Sequence, residues 1–310
     1  MEIANRSLIP NLRAAWIDQA RTHPWTTAGL ALAALAILLM LATSIWQVVT
    51  GEATAPLRLA MLGGVAAFGT TALGAVPAFG LHGINQRLED SMLGMAAGMM
   101  LAASSFSLIL PGLDAGEAMT GSGTLAALTV VAGMGLGVLL MLGLDQFTPH
   151  QHAEGGTHGA GAARVSRLWL FVFAIALHNL PEGMAIGVSF SQGDMSVGLP
   201  LTTAIALQDI PEGLAVAMAL RAIGLPAWRA VALAAATGLM EPLGALLGVG
   251  LSSGLALTYP IGLGLAAGAM IFVVSHEVIP ETHRNGHQTP ATLGLMAGFA
   301  LMMVLDTALG

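Results

Sequence analysis

The chain has 310 residues, of which 55% are hydrophobic and only 9% charged, with a formal net charge of −7. A soluble domain carries about 25% charged residues, so most of this chain is not built for water. The ten basic residues are all arginine and scattered, which excludes a nucleic-acid footprint, and the absence of cysteine excludes disulfides and thiolate metal ligands.

In chain order, residues 1–25 form a polar N-terminal segment carrying Arg6, Arg13 and Arg21. The apolar run at 26–49 exceeds the roughly 7–15 residues of a cleaved signal peptide and reads as a first membrane span. Residues 57–310 form the main domain. A helix needs about 20 apolar residues to cross a bilayer. Eight further runs satisfy this, at 57–82, 88–110, 123–145, 167–190, 198–220, 227–250, 257–278 and 290–308. The expected fold class is therefore an all-α polytopic membrane protein of nine transmembrane helices. With a cytoplasmic N-terminus, every arginine except Arg58 falls on the cytoplasmic side, as the positive-inside rule requires. The C-terminus then lies outside. Glycine-rich stretches such as GMGLG (133–137) and LGLAAGAM (263–270) predict close helix packing. The longest inner loop, 146–166, carries His150, His152 and His158 among glycines. It reads either as a flexible metal-touching segment or as a solvated linker.

Three spans carry ionisable groups at mid-depth: His178, Asn179 and Glu182, then Gln208, Asp209 and Glu212, then Glu241. Each buried acid costs about 2.5–3.5 kcal/mol on insertion scales, and no arginine lies within these spans to neutralise them. A divalent cation offsets that cost. Within each motif the ligand types sit at i,i+3 and i,i+4, hence on one helix face. Both motifs, HNLPEG (178–183) and QDIPEG (208–213), place a proline and a glycine around the glutamate. Pro181 and Pro211 are expected to interrupt their helices, as in the broken helices of transporter sites. With both glutamates bridging, two metals become plausible. Without thiolates the donor set suits Zn²⁺, Fe²⁺ or Mn²⁺. Protonated carboxylates in a proton pathway are the non-metal alternative. Met100 reads from its apolar neighbours as packing. His276 and Glu277 are expected to close the eighth span at its inner end. With Glu281, His283 and His287 they form a metal-release path or an ordinary polar helix end. Asp114 and Asp306 near the outer face either attract cations or cap helices. Asp90 and Asp145 read as helix-end residues.

HNLPEG, QDIPEG thirty residues later and an upstream His-containing loop resemble the ZIP (Zrt/Irt-like) metal transporters, bacterial members in particular. The likeness extends through GMMLAASSFSLILPGLD (98–114), GLMEPLGAL (238–246) and SHEVIPETHRNGH (275–287). The resemblance implies an eight-helix bundle with inverted repeats plus the extra N-terminal span, commonly a homodimer. It implies a binuclear site, with one ion on His178, Glu182, Gln208 and Glu212, and Met100 and Asp209 nearby. The other ion would use Asn179, Glu182, Asp209, Glu212 and Glu241. It implies entrance or pathway roles at Asp90, Ser107, Asp114 and Asp306, and exit roles at His276, Glu277 and the inner-loop histidines, among them His150 and His152. It also implies Zn²⁺ as the transported substrate, moved toward the cytoplasm by an elevator-like sliding, with Cd²⁺, Fe²⁺ or Mn²⁺ as alternatives and no separate cofactor. Two competing classes stand beside this. A metal-dependent intramembrane hydrolase needs an open metal position and a free general base, and the chain has no H-E-x-x-H. A proton-linked carrier or non-transporting metal sensor differs from a transporter in its flux.

Overall fold

The structure, a computed structural model, describes residues 54–147 except 82 and 84, 150–152, 156–158, 167–222, 224–252 and 257–309, with scattered positions before residue 52. Eight helical rods carry the main domain. They are α1 Ala55–Phe79, α2 Gln86–Thr120, α3 Gly123–Phe147, α4 Arg167–Phe190, α5 Met195–Ala222, α6 Ala227–Ser252, α7 Thr258–His283 and α8 Gln288–Leu309. Seven of them, counted on the described residues, are long and apolar enough to cross a bilayer, and α4 adds a 24-residue helix. The protein is a polytopic helical membrane protein. The segment 1–25 and most of the expected span at 26–49 lie outside the described residues.

Three local features differ from expectation. The helices are not interrupted at Pro181 and Pro211: α4 and α5 run unbroken through them. Proline removes one backbone donor, but packing against neighbouring helices tolerates this within a membrane. The irregularities lie elsewhere. α2 widens into a π turn at Ser104–Ile109, before Pro111, and continues to Thr120. α7 does the same at Val274–Val278, before Pro280, and continues to His283. His276 and Glu277 therefore sit on a π turn inside the helix rather than at its end. α6 is broken at 238–239, immediately before the segment Met240–Ser252 that carries Glu241. The inner loop, expected to be a flexible linker, contains a two-stranded antiparallel ribbon pairing 150–152 with 156–158.

Glycine determines how the rods pack. α2 lies along α8, α3 along α7, α4 along α6, and α1 along α5 and α6. A Cβ placed on Gly94 or Gly98 of α2 would fall 2.2 or 1.9 Å from the carbonyl oxygens of Ala291 and Leu295 on α8. Gly294 and Gly298 of α8 meet the carbonyls of Ser91 and Met95 in return, at 2.2 and 2.0 Å. The α3–α7 contact repeats the device, with Gly133 and Gly137 against Ile261 and Leu265, and Gly264 and Gly268 against Val130 and Met134. In the other half, Gly183 and Gly187 meet Glu241 and Ala245, Gly244 and Gly248 meet Leu180 and Met184, and Gly213 and Gly74 close α5 against α1. Such contacts bring backbones together where lipid supplies no hydrophobic drive for helix association. They knit two groups, α1-α4-α5-α6 and α2-α3-α7-α8. Between the groups, Gly262 of α7 meets side chains instead, those of Ser252 and Val188.

The pattern recurs along the chain. Gly94, Gly98 and Met100 of α2 stand at the same relative positions as Gly264, Gly268 and Met270 of α7, and Thr71 and Gly74 of α1 match Glu241 and Gly244 of α6. Each pair is separated by the same interval of 170 residues (264 against 94, 241 against 71).

Overpacking a close contact typically costs about 1–3 kcal/mol. Gly98→Ala is therefore expected to lower the Tm of the purified protein. Gly69→Ala, whose Cβ would meet nothing within 4 Å, is expected to leave it unchanged.

Candidate metal site

The two PEG motifs and Glu241 converge where α4, α5 and α6 meet. His178, Asn179 and Glu182 lie within about one turn of α4, and Gln208, Asp209 and Glu212 do the same on α5. None of these six, nor Glu241, is more than 9% exposed. Oxygens of Glu182, Asp209 and Glu212 lie within 4.8 Å of one another. The motif glycines explain the convergence. Gly183 has no side chain to hold α6 away, so the backbone of Glu241 rests directly on α4. Gly213 lets α5 rest on Thr71 of α1 in the same way.

The hydrogen bonds divide the carboxylate oxygens into held and open ones. Gln208 Nε2 donates to Glu182 Oε1. Thr71 Oγ1 donates to Glu241 Oε1 at 2.7 Å, and Thr70 Oγ1 to Asp209 Oδ2 at 3.4 Å. His178 Nε2 lies 2.8 Å from Glu277 Oε2, linking α4 to α7. Five buried oxygens have no partner: Asn179 Oδ1, Glu182 Oε2, Gln208 Oε1, Glu212 Oε1 and Glu241 Oε2. All five are acceptors. A buried polar atom left unpaired costs about 1–3 kcal/mol, and two carboxylate charges about 4 Å apart repel by about 4 kcal/mol at an effective dielectric of 20. A cation bound by these oxygens relieves both costs, as does a proton shared between two of them. The oxygen-rich set with one imidazole suits Zn²⁺, Fe²⁺ and Mn²⁺.

The remaining candidates are distributed as follows. Met100 is buried in the main apolar cluster. Asp90 receives Asn285 Nδ2 at 3.1 Å and lies 2.8 Å from His287 Nδ1, which ties the α7–α8 turn to the start of α2. It thus groups with the histidines of that turn and not with Ser107 and Asp306, which bond to each other at 2.5 Å further along α2 and α8. Asp114 is exposed. His283 Nδ1 lies 2.8 Å from the carbonyl of Ile279. His276 lines a shallow cavity of about 340 Å³ together with Val138, Ile271, Phe272 and Ser275. The side chains of Asp145, His150 and His152 lie outside the described residues. Thr70, Thr71 and the contact of Glu277 with His178 were not anticipated. The only sequence signal for the threonines was a polar Thr-Thr pair in an otherwise apolar span.

Residues 144–306 match the family model for the ZIP zinc transporter. The chain is 66% identical over 304 residues to the zinc transporter ZIPB of Bordetella bronchiseptica, covering 98% of each protein. The chain belongs to the ZIP family. ZIP relatives extend further: the zinc transporter GufA of Myxococcus xanthus is 44% identical over 243 residues, covering 77% of this chain and 94% of that protein. The zinc transporter ZIP11 of Bos taurus is 30% identical over 338 residues, covering 82% and 98%. ZIP proteins are transporters, so the intramembrane hydrolase is set aside and the chain is not an enzyme.

If the open oxygens are cation ligands, metal stabilises the fold. A ligand at 100 times its Kd adds about 2.7 kcal/mol. Zn²⁺ added to purified protein is expected to raise the Tm, and Glu182→Gln is expected to abolish that rise while leaving the metal-free protein at least as stable, because one repelling charge is gone.

Proposed function

We propose that this ZIP protein carries Zn²⁺ across the bacterial inner membrane toward the cytoplasm through a site for two ions. The observation that carries the proposal is the set of five unpartnered buried oxygens on α4, α5 and α6. One ion is held by His178, Glu182, Gln208 and Glu212, with Met100 and Asp209 nearby. The other is held by Asn179, Glu182, Asp209, Glu212 and Glu241. Glu182 and Glu212 bridge them, at the separation of about 3.5–4 Å common to two-metal sites. Zinc is the substrate named for the relatives, and the donor set also accepts Fe²⁺, Mn²⁺ or Cd²⁺. The divalent ion is the cargo, and no resident cofactor is part of this reading.

Movement follows from the packing. The ligands ride on the α1-α4-α5-α6 group, whose helices meet backbone to backbone, whereas its contact with the second group at Gly262 is made by side chains, those of Ser252 and Val188. A body held together by backbone contacts and faced by side chains slides more readily than it deforms, which supports an elevator-like exchange of access. The 170-residue repeat supports inverted repeats: α6 is the fifth span after α1, and successive spans alternate in direction, so α6 and α7 run opposite to α1 and α2. Arginine placement supports a cytoplasmic N-terminus and a periplasmic C-terminus. On this orientation Ser107, Asp114 and Asp306 lie toward the entrance. Asp90, Glu277, His283 and His287 lie toward the exit, with His276, Asp145 and the loop histidines His150 and His152 beside them. The reading includes a homodimer through the second group, whose α3 and α8 leave many apolar residues exposed.

Zn²⁺ uptake into liposomes containing the purified protein tests the site. Glu182→Ala or Glu212→Ala should lower uptake by more than the 10–100-fold typical of outer-shell changes. Unchanged uptake would remove the assignment, and proton flux persisting without metal would favour a carboxylate proton path. The sliding is tested separately, since the native chain has no cysteine. Oxidising the pair Val188→Cys and Gly262→Cys, which join the two groups, should stop transport until a reductant is added. Oxidising Gly116→Cys with Ala126→Cys, inside one group, should not.

A further inference from the structure

Thr71 is 3% exposed and is clamped from two sides. A Cβ on Gly213 would meet its carbonyl at 2.2 Å, and one on Gly238 would meet its Cβ and Cγ2 at 3.1 and 3.2 Å. The methyl is thereby turned toward α6 at Gly238, and the hydroxyl has two acceptors within reach, Glu241 Oε1 at 2.7 Å and the Ala67 carbonyl at 3.2 Å. A hydroxyl has one proton, and the shorter, charge-assisted contact takes it. Glu241 is left with one held oxygen, Oε1, and one open oxygen, Oε2. Thr71 also stands at the repeat position matching Glu241. In one half of the repeat this position carries a carboxylate, and in the other the hydroxyl that restrains it.

This restraint has a consequence for which ion fits. Zn²⁺ is typically four-coordinate, whereas larger cations take more oxygens and accept both oxygens of one carboxylate. We propose that Thr71 is a specificity-determining positioning residue: by holding Oε1 of Glu241 it confines this carboxylate to one-point binding and so favours a small ion over a large one. The inference rests on the reading of Glu241 as a ligand, and Thr71 itself touches no ion.

The test compares Thr71→Val, which keeps the shape and removes the hydroxyl, with Thr71→Ser, which keeps the hydroxyl. Each variant is purified, checked for a single folded species and assayed in liposomes for the apparent affinities of Zn²⁺ and Cd²⁺. Outer-shell partners of metal ligands commonly change affinity about 10–100-fold when removed, so Thr71→Val is expected to shift the Cd²⁺-to-Zn²⁺ preference toward Cd²⁺ by about 10-fold. Thr71→Ser is expected to keep the parent preference. If Thr71→Val does not fold, Thr71→Ala takes its place with the same expectation. A parent-like preference in the hydroxyl-free variant, or an equal shift in Thr71→Ser, overturns the proposal. Counting bound Zn²⁺ in Glu241→Ala separates the two levels. An unchanged count means that Glu241 is not a ligand and the underlying reading fails. A lost ion together with an unshifted Thr71→Val means that only the role of Thr71 fails.

Discussion

Carboxylates that cannot be hydrated and have no cationic side chain beside them must find a positive charge or lose their own. In this protein the requirement falls on Glu182, Asp209, Glu212 and Glu241, which are drawn together in the middle of a helical membrane protein. Hydrogen bonds from Gln208 and Thr71 hold one oxygen each of Glu182 and Glu241, and the other oxygen of each is buried without a partner. A soluble protein would meet such a cluster with water or lysine. This chain contains no lysine, and the described arginines of the eight helices lie at helix ends. The cluster is an arrangement of acceptors, and on the function proposed above a divalent ion completes it.

The packing holds that cluster together. Ligands on three helices hold their geometry only if those helices move together, and glycine provides this by letting α4 touch α6 and α5 touch α1 through their backbones. The same residue steps unite α2 with α8 and α3 with α7. His178 and Glu277 meet across the boundary between the two groups. If His178 is a ligand, an ion at its Nε2 would displace the contact that ties α4 to α7. The 170-residue repeat relates helices within each group, α1 to α6 in the first and α2 to α7 in the second, and it places Thr71 where its counterpart carries Glu241.

Much of this was legible because helical spacing is local. HNLPEG and QDIPEG place their ligands on one face whatever surrounds them, and the family likeness followed from the same residues. The span ends were less legible: His276 and Glu277 looked like the end of a helix, but α7 carries them on a π turn and continues to His283. The prolines misled in the opposite direction, since a missing backbone donor need not break a helix that is packed on its neighbours. The Thr70-Thr71 pair is a weak signal, because a hydroxyl in an apolar span more often bonds its own preceding turn, and only the tertiary contact with Glu241 distinguishes Thr71. The repeat was readable in principle, in Gly94-Met-Ala-Ala-Gly98 and Gly264-Leu-Ala-Ala-Gly268, but short glycine-alanine patterns are common in membrane helices and gain meaning only when their partners match too.

The central claim is that the open oxygens hold two ions bridged by glutamate. Anomalous diffraction at the zinc edge from crystals grown with Zn²⁺ measures this directly. Two peaks among α4, α5 and α6, about 3.5–4 Å apart and both in contact with Glu182 and Glu212, are the predicted result. A single peak would reduce the site to one ion, and an absence of peaks among these helices, with zinc bound elsewhere, would contradict the account.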